Sequence, residues 1–303
     1  MTSLTRTNSL WKLRTRTLEL GRRTLIMGII NITPDSFSDG GLFLEPEAAV
    51  ARALQLLDEG ADLLDLGAES TRPGSQAGNA TEVAVSESEE QARLLPVIEG
   101  ILAARPDAIL SADTYKSATA RAALSAGAQI INDVSGFAWD SRLAGSCAEY
   151  GCGIVVMHTR GRPDEWREQQ KLQPDALMNL VRTGLAASME SATRVGNAPE
   201  SIVIDPGYGF GKKFDENYTL LARQAELLAL GRPLLAGVSR KSFLGHTLAP
   251  LHGGKQAPIE ARETAGIAAL VAAILHGASI VRVHDIRPAL EAARISDALL
   301  AAS

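Results

Sequence analysis

The chain has 303 residues, of which 46% are hydrophobic and 21% charged, and this composition excludes a disordered protein. The formal net charge of −5 argues against non-specific nucleic-acid binding, and no apolar run approaches the roughly 20 residues of a membrane span. The two cysteines, Cys147 and Cys152, form no metal spacing and no disulfide framework, so we expect a reducing compartment, the cytoplasm. The Arg- and Thr-rich N-terminus resembles a transit peptide only faintly, because it lacks a long apolar segment.

The N-terminal segment alternates polar and apolar residues from Trp11 to Leu20, which predicts a β-hairpin ahead of the main fold. Short apolar runs then alternate with helical segments. The predicted strands are 25–30, 62–66, 108–112, 129–131, 154–157, 201–204, 234–238 and 279–283. The predicted helices are 47–59, one ending near 104, 116–126, 141–150, 174–195, 216–230, 241–246, 260–276 and 287–300. We expect an N-terminal extension and hairpin over residues 1–24 and one domain over 25–303.

Several predicted helices end in glycine followed by alanine, at Gly60, Gly127 and Gly277, which is the chemistry expected where a helix leads into a strand. Alternating strands and helices predict an α/β protein, and eight such units predict closure into a (β/α)8 TIM barrel. The alternative is an open doubly wound sheet. It is disfavoured because no dinucleotide-binding motif follows the first strand.

In a barrel of this kind the active site lies at the carboxyl ends of the strands. Asp113 follows the third predicted strand, Asn132 and Asp133 follow the fourth, and Asp205 follows the sixth. Carboxylates beside an amide can recognise the donors and acceptors on the edge of a heterocycle. The alternative is a set of structural ion pairs in the barrel mouth.

Other strand ends carry groups suited to an anion. Asn31 offers an amide oxygen suited to Mg²⁺, and Arg72 can pair with phosphate. Arg282 and His284 are two residues apart on one strand, so they share a face and with Asn31 could hold an anion and a metal. Lys241 supplies a further positive charge. The composite pocket suits a nitrogen heterocycle carrying a phosphate leaving group.

Two long motifs, residues 27–41 and 65–74, resemble the signatures of the dihydropteroate synthase family. Shorter matches follow in order over the rest of the chain. They lie at residues 113–116, 131–133, 157–158, 205–207, 239–241 and 282–284. The resemblance covers about residue 24 to the C-terminus. It implies a barrel enzyme of folate synthesis that joins 4-aminobenzoate to 6-hydroxymethyl-7,8-dihydropterin diphosphate, with Mg²⁺ as cofactor and a homodimer as the assembly.

The resemblance also implies roles for individual residues. The pterin would contact Asp113, Asn132, Met157, Asp205, Phe210, Gly237 and Lys241. The diphosphate would be bound by Asn31, which would also ligate the metal, and by Arg72, Arg282 and His284. The 4-aminobenzoate would be bordered by Phe37, Thr71, Pro73, Ser239 and Lys241. Catalysis would rest on Asp113, Asp35 in a closing loop, Arg72 and Lys241.

Two other functions remain open at this point. A methyltransferase that uses methyltetrahydrofolate and a corrinoid partner could share the fold and the carboxylates, but it would need no diphosphate clamp. A non-catalytic pterin-binding relative would be expected to lack parts of that clamp. Release of diphosphate in the presence of Mg²⁺ separates the three.

Overall fold

A two-stranded antiparallel hairpin precedes eight parallel strands that close into a barrel. The computed structural model describes residues 6–33, 46–72, 74–79 and 84–302. The hairpin strands are β1 (Ser9–Lys12) and β2 (Thr17–Leu20). The barrel strands are β3 (Leu25–Asn31), β4 (Leu63–Gly67), β5 (Leu110–Asp113), β6 (Ile130–Asp133), β7 (Gly153–Met157), β8 (Ile202–Asp205), β9 (Leu234–Ala236) and β10 (Ala278–Val283). They neighbour one another in chain order, and β10 pairs with β3 to close the barrel.

Helices follow the strands and cover the outside of the barrel. They are α1 (Pro46–Asp58), α2 (Glu87–Ala104), α3 (Ser117–Ala126), α4 (Leu143–Tyr150), α5 (Pro174–Arg194), α6 (Glu216–Arg223), α7 (Ser242–Thr247), α8 (Glu263–Leu275) and α9 (Ile286–Ala301). The predicted hairpin and TIM barrel are therefore confirmed. In the described part of the chain, no helix is long and apolar enough to cross a membrane.

Some element boundaries differ from the prediction. The segment predicted as one helix over 216–230 is α6 followed by a 3₁₀ helix, Gln224–Leu230. The change of helix type falls at Gln224, whose buried side-chain amide donates to the carbonyl oxygens of Ala273 and His276. The boundary therefore coincides with a tertiary contact, which the local periodicity could not show.

Alternate residues of each strand face the inside of the barrel, as the two-residue period requires. At the amino end these side chains are apolar and form one cluster with Trp11, Leu13 and Leu20 of the hairpin. The cluster contains Leu25, Met27, Leu63, Ile130, Val155, Val203, Leu235 and Ile280. The Trp11 Nε1 donates to the carbonyl oxygen of Ser201 at 2.8 Å. The hairpin thus plugs the amino end of the barrel, and the carboxyl end remains the open mouth.

At the mouth, the strand register places the predicted polar residues side by side. Asn31 pairs with Gly67, Gly67 with Asp113, and Asp113 with Asn132. On the other side of the barrel Met157 pairs with Asp205. The fold therefore gathers the strand-end residues of the sequence into one ring.

Candidate active site

Asp113, at the end of β5, faces a cation across the mouth. Its Oδ2 accepts a hydrogen bond from Arg282 Nη2 at 2.8 Å. Burial and the neighbouring Asp65 charge raise the pKa of Asp113 to about 7, although the Arg282 charge lowers it in part. Gly67, the strand neighbour of Asp113, has no side chain, and a Cβ there would lie 3.5 Å from the Cβ of Asp113. The side chain of Asp113 keeps 16% of its surface exposed, so its carboxylate borders the open mouth.

Asn132, at the end of β6, is held by a carboxylate deeper in the barrel. Its Nδ2 donates to Asp65 Oδ2 at 2.8 Å, and its side chain is buried. The next residue, Asp133, does not join the mouth. Its carboxylate accepts from the backbone amides of Ser135 and Phe137 at 2.8 and 2.5 Å and so holds the turn that follows the strand.

Asp205, at the end of β8, begins the glycine-rich loop 205–212. Its Oδ1 accepts from the amide of Gly207 at 2.7 Å, and burial raises its pKa. Gly207 has φ +72°, and a Cβ there would lie 2.0 Å from the carbonyl oxygen of His158, so only glycine fits. This turn holds the Asp205 carboxylate at the edge of the mouth.

Lys241 and Phe210 form one wall beside Asp205. The Lys241 Nζ lies 4.1 Å from the centre of the Phe210 ring. Burial and the Arg282 charge lower the pKa of Lys241 to about 8, although the carboxylates of Asp205 and Asp113 raise it in part. The ammonium thus interacts electrostatically with all three of these charged groups. Phe210 is braced from behind by Trp166, whose ring centre lies 5.1 Å away.

Met157 and Gly237 complete the predicted pterin side of the mouth. Met157 ends β7 facing inward and is 4% exposed. A Cβ at Gly237 would lie 3.9 Å from Arg282 Cβ and 4.0 Å from Asp205 Oδ2, at ordinary contact distances. Gly237 therefore leaves space between the two charged groups.

A second part of the mouth is cationic. His284 Nδ1 lies 3.1 Å from Ser239 Oγ, which joins the segments after β10 and β9. Burial and the charges of Arg240, Arg282, Lys241 and Arg72 lower the pKa of His284 to about 3. His284 is therefore neutral at pH 7 and surrounded by positive charge, an environment that favours an anion.

Thr71 and Arg72 lie on the loop after β4, which is tied to the barrel. Glu69 accepts from Lys116 Nζ at 2.6 Å, and the same ammonium donates to the buried Glu90 at 3.1 Å. Thr71 is half-buried and Arg72 is exposed. Asp35, Phe37 and Pro73, which the sequence also placed at the site, lie outside the described residues.

Lys212, the lysine of the glycine-rich loop, stabilises that loop. Lys212 is buried and donates from Nζ to the carbonyl oxygen of His158 at 2.7 Å. His158 itself is buried beside Gly184, and burial together with the Lys212 and Arg160 charges lowers its pKa to about 2. Lys212 and His158 therefore lie outside the mouth and stabilise the loops around it.

Sequence reasoning missed Asp65. This carboxylate lies in the middle of β4, is 0% exposed and accepts hydrogen bonds from Ser111, Asn132 and Arg282. The signal was present, because a carboxylate inside a buried parallel strand must have partners and Asp65 lies two residues before Gly67, on the same face.

Comparison with known proteins gives the family. Residues 27–284 match the family model described as pterin binding enzyme. A dihydropteroate synthase from Synechocystis sp. is 39% identical over 92% of this chain and 91% of its own length. The solved structure of the Yersinia pestis dihydropteroate synthase with a sulfonamide drug has a TM-score of 0.85 at 37% identity, covering 97% of this chain and 100% of that one. The Xanthomonas albilineans enzyme in complex with 7,8-dihydropteroate has a TM-score of 0.80 at 36% identity, covering 96% and 99%. The chain therefore belongs to the dihydropteroate synthase family of pterin-binding enzymes.

Proposed function

We propose that the mouth of the barrel binds 6-hydroxymethyl-7,8-dihydropterin diphosphate and 4-aminobenzoate and joins them into 7,8-dihydropteroate, releasing diphosphate. The observation that carries this proposal is the division of the mouth into two parts. Hydrogen-bond acceptors with one ammonium lie on one side, at Asp113, Asn132, Asp205 and Lys241. His284, which is neutral and has arginines around it, lies on the other side.

The first part matches the chemistry of a pterin. The 2-amino-4-oxopyrimidine ring offers N–H donors on one edge and a carbonyl acceptor beside them. Asp205 and Asn132 would accept from those donors, and Lys241 would donate to the ring. Met157 and Phe210 would pack against the ring faces. The space left by Gly237 would hold the ring between Asp205 and Arg282.

The second part matches a diphosphate. Arg282 uses Nε and Nη2 for Asp65 and Asp113, which leaves further N–H groups for phosphate oxygens. Arg72 and His284 would complete the clamp, with Ser239 holding the imidazole. A bound diphosphate would add negative charge beside His284 and so raise its pKa.

Asn31 is the residue proposed to hold Mg²⁺. Its side-chain oxygen is a hard donor at the end of β3, and it is half-buried beside the mouth. In the ranges that the structure covers, no three acidic, histidine or cysteine side chains form a metal site by themselves. One amide ligand fits a cation that shares its coordination with substrate phosphates, where it would neutralise charge on the leaving group.

The reaction would begin with loss of diphosphate. The C–O bond at the pterin methylene breaks and its electron pair leaves with the diphosphate oxygen, which Arg282 and His284 stabilise. The resulting cation is delocalised over the pterin ring, and the Asp113 carboxylate stabilises it electrostatically. The lone pair of the 4-aminobenzoate amine then forms the C–N bond to the methylene, and the ammonium that results loses its proton to solvent water. Because the amine adds directly to the pterin cation, no covalent enzyme intermediate is needed.

Thr71 and Ser239 would border the 4-aminobenzoate, together with Lys241 and with Phe37 and Pro73 outside the described residues. Asp35 would act from the closing loop, also outside them. We further propose a homodimer through the C-terminal helices, where Ile295 and Leu299 are 65% and 51% exposed. The free, buried thiols of Cys147 and Cys152 fit a reducing compartment, and we propose the cytoplasm.

Diphosphate release from the pterin substrate tests the function directly. The purified protein is assayed with Mg²⁺, with and without 4-aminobenzoate, and dihydropteroate is quantified in parallel. We expect equal amounts of diphosphate and dihydropteroate, and loss of both in Asp113→Ala protein. Tight pterin binding without release would contradict the synthase assignment and favour a non-catalytic pterin-binding protein.

A further inference from the structure

Asp65 is the centre of a buried network beneath the proposed pterin site. Its Oδ1 accepts from Ser111 Oγ at 2.6 Å, and its Oδ2 accepts from Asn132 Nδ2 at 2.8 Å and from Arg282 Nε at 2.6 Å. The side chain is 0% exposed, so it cannot touch a ligand in the mouth. It acts only through the three residues that donate to it.

The contact with Asn132 fixes which way that amide points. A carboxylate paired with a guanidinium only accepts hydrogen bonds, so the –NH₂ group of Asn132 must face Asp65. The amide oxygen then faces the other way. Across the described ranges, this oxygen accepts no hydrogen bond from the protein, and it is not among the fully buried atoms without a partner. It is therefore free to accept from a ligand.

The same carboxylate orients Arg282. The guanidinium donates through Nε to Asp65 and through Nη2 to Asp113, and the two contacts fix its plane. Its remaining N–H groups are held in one direction. Asp65 thus sets the orientation of one group on each side of the mouth.

We propose, building on the proposed function, that Asp65 is a positioning residue that makes Asn132 a hydrogen-bond acceptor and thereby selects a 2-amino-4-oxopteridine. Asn132 Oδ1 and the Asp205 carboxylate then present acceptors to the 2-amino and N3–H donors of such a ring. A 2,4-dioxopteridine (lumazine) places a carbonyl oxygen where the pterin has its amino group. That oxygen would meet an acceptor, which a site built for a donor rejects strongly.

Replacement of Asp65 by asparagine would release this constraint. Either side of the introduced amide can then face Asn132, because an amide side chain both donates and accepts. Asn132 could turn its –NH₂ group toward the ligand and donate to the 2-oxo group of lumazine. The selectivity of the site, and not only its stability, would therefore change.

The test compares binding of 6-hydroxymethylpterin and 6-hydroxymethyllumazine by calorimetry in the full-length protein. Neither ligand carries diphosphate, so the clamp is not involved. We expect wild-type protein to prefer the pterin by at least about 100-fold, and Asp65→Asn to reduce this preference by about 10-fold or more. If the role of Asp65 were purely structural, Asp65→Asn would weaken the binding of both ligands equally and leave the preference unchanged. That result would overturn the inference.

A double variant that exchanges the two residues, D65N/N132D, provides a second test of the inference. The amide at position 65 would donate to the carboxylate at position 132, whose other oxygen would again present an acceptor, and the total charge is unchanged. We expect the pterin preference to return, and its absence in a folded double variant would count against the inference even if Asp65→Asn alone failed to fold. Ser111→Ala is the matched control, because it removes a hydrogen bond from Asp65 without freeing Asn132, and it should keep the wild-type preference.

The wild-type result separates this inference from the proposed function. If the wild-type protein bound neither pterin nor its diphosphate, the proposed function would fail and this inference with it. If the wild type bound pterin and released diphosphate while Asp65→Asn kept the full preference, only the role of Asp65 would be wrong.

Discussion

Two glycines at strand ends, Gly67 and Gly237, leave space in the mouth of the barrel. Neither has the positive φ that would require glycine. A Cβ at either position would meet its nearest protein atoms at 3.5 Å or more, which is ordinary van der Waals contact. Neither backbone conformation nor packing therefore explains a glycine at these positions. The space in front of them is where the ligand would lie.

Gly237→Ala should consequently fold normally but bind pterin poorly. The added methyl would project between Arg282 and Asp205. We expect the free energy of unfolding to change by less than about 1 kcal/mol and the dissociation constant for pterin to rise by about 10-fold or more. Calorimetry and urea unfolding check both parts. Gly145→Ala in α4 is the matched control, since a Cβ there meets nothing within 4 Å and pterin binding should not change. Unchanged pterin affinity in Gly237→Ala would place the ligand elsewhere.

The hairpin of β1 and β2 supplies part of the barrel core. Trp11, Leu13 and Leu20 are 0–1% exposed and pack against inward-facing residues of the barrel strands. The active-site mouth lies at the opposite end of those strands. The hairpin should therefore contribute to stability and leave the chemistry of the mouth unaffected.

Trp11→Ala tests this separation. Removing a fully buried indole and its hydrogen bond to Ser201 should cost about 3–5 kcal/mol of unfolding free energy, measured in urea. The turnover number of the protein that remains folded should equal that of the wild type. Leu10→Ala is the control on the same strand, because Leu10 is 56% exposed and its loss should change stability by about 0.5 kcal/mol or less. A similar small loss for Trp11→Ala would mean that the hairpin does not share the core.

The sequence alone could predict the barrel and most of the ring of the mouth. Asp113, Asn132 and Asp205 stand where short apolar runs end, and parallel strands bring such ends together. Asp65 could be recognised as a buried carboxylate that needs partners, but the sequence could not say which residues these are, because they lie 46, 67 and 217 residues away. Asp133 also follows a predicted strand, so the sequence placed it with the mouth residues. Its carboxylate instead accepts hydrogen bonds from the amides two and four residues further along the chain.

Buried titratable groups tie the stability of the whole molecule to pH. His158 and His284 have pKa values lowered to about 2 and about 3, mainly by burial, so the unfolded chain binds their protons first on acidification. Each histidine therefore lowers stability as pH falls below about 6.5. Asp113 and Asp133 act in the opposite direction, because burial raises their pKa values to about 7 and about 6 and the folded state then binds more protons between pH 4 and 7. The net slope is a difference between these contributions.

Comparison of His158→Gln with wild type isolates one contribution. Between pH 7 and pH 5 the wild type should lose about 2 kcal/mol more unfolding free energy than the variant, because the unfolded wild-type chain gains a proton on His158 that the folded state excludes. Urea unfolding at both pH values measures this. Parallel losses in the two proteins would show that His158 is protonated in the folded state as well.

The plug at the amino end has a consequence for biosynthesis. Trp11 lies near the start of the chain, yet its cluster includes Ile280 on the last strand, and Arg6 bonds Asp297 in the last helix at 2.9 Å. The hairpin is thus synthesised before the barrel strands, and the barrel surface that it packs against is complete only after β10 has been synthesised. Until β10 has emerged, the apolar face of the hairpin has no complete partner, so a chaperone that shields exposed apolar segments should bind the nascent protein through the hairpin.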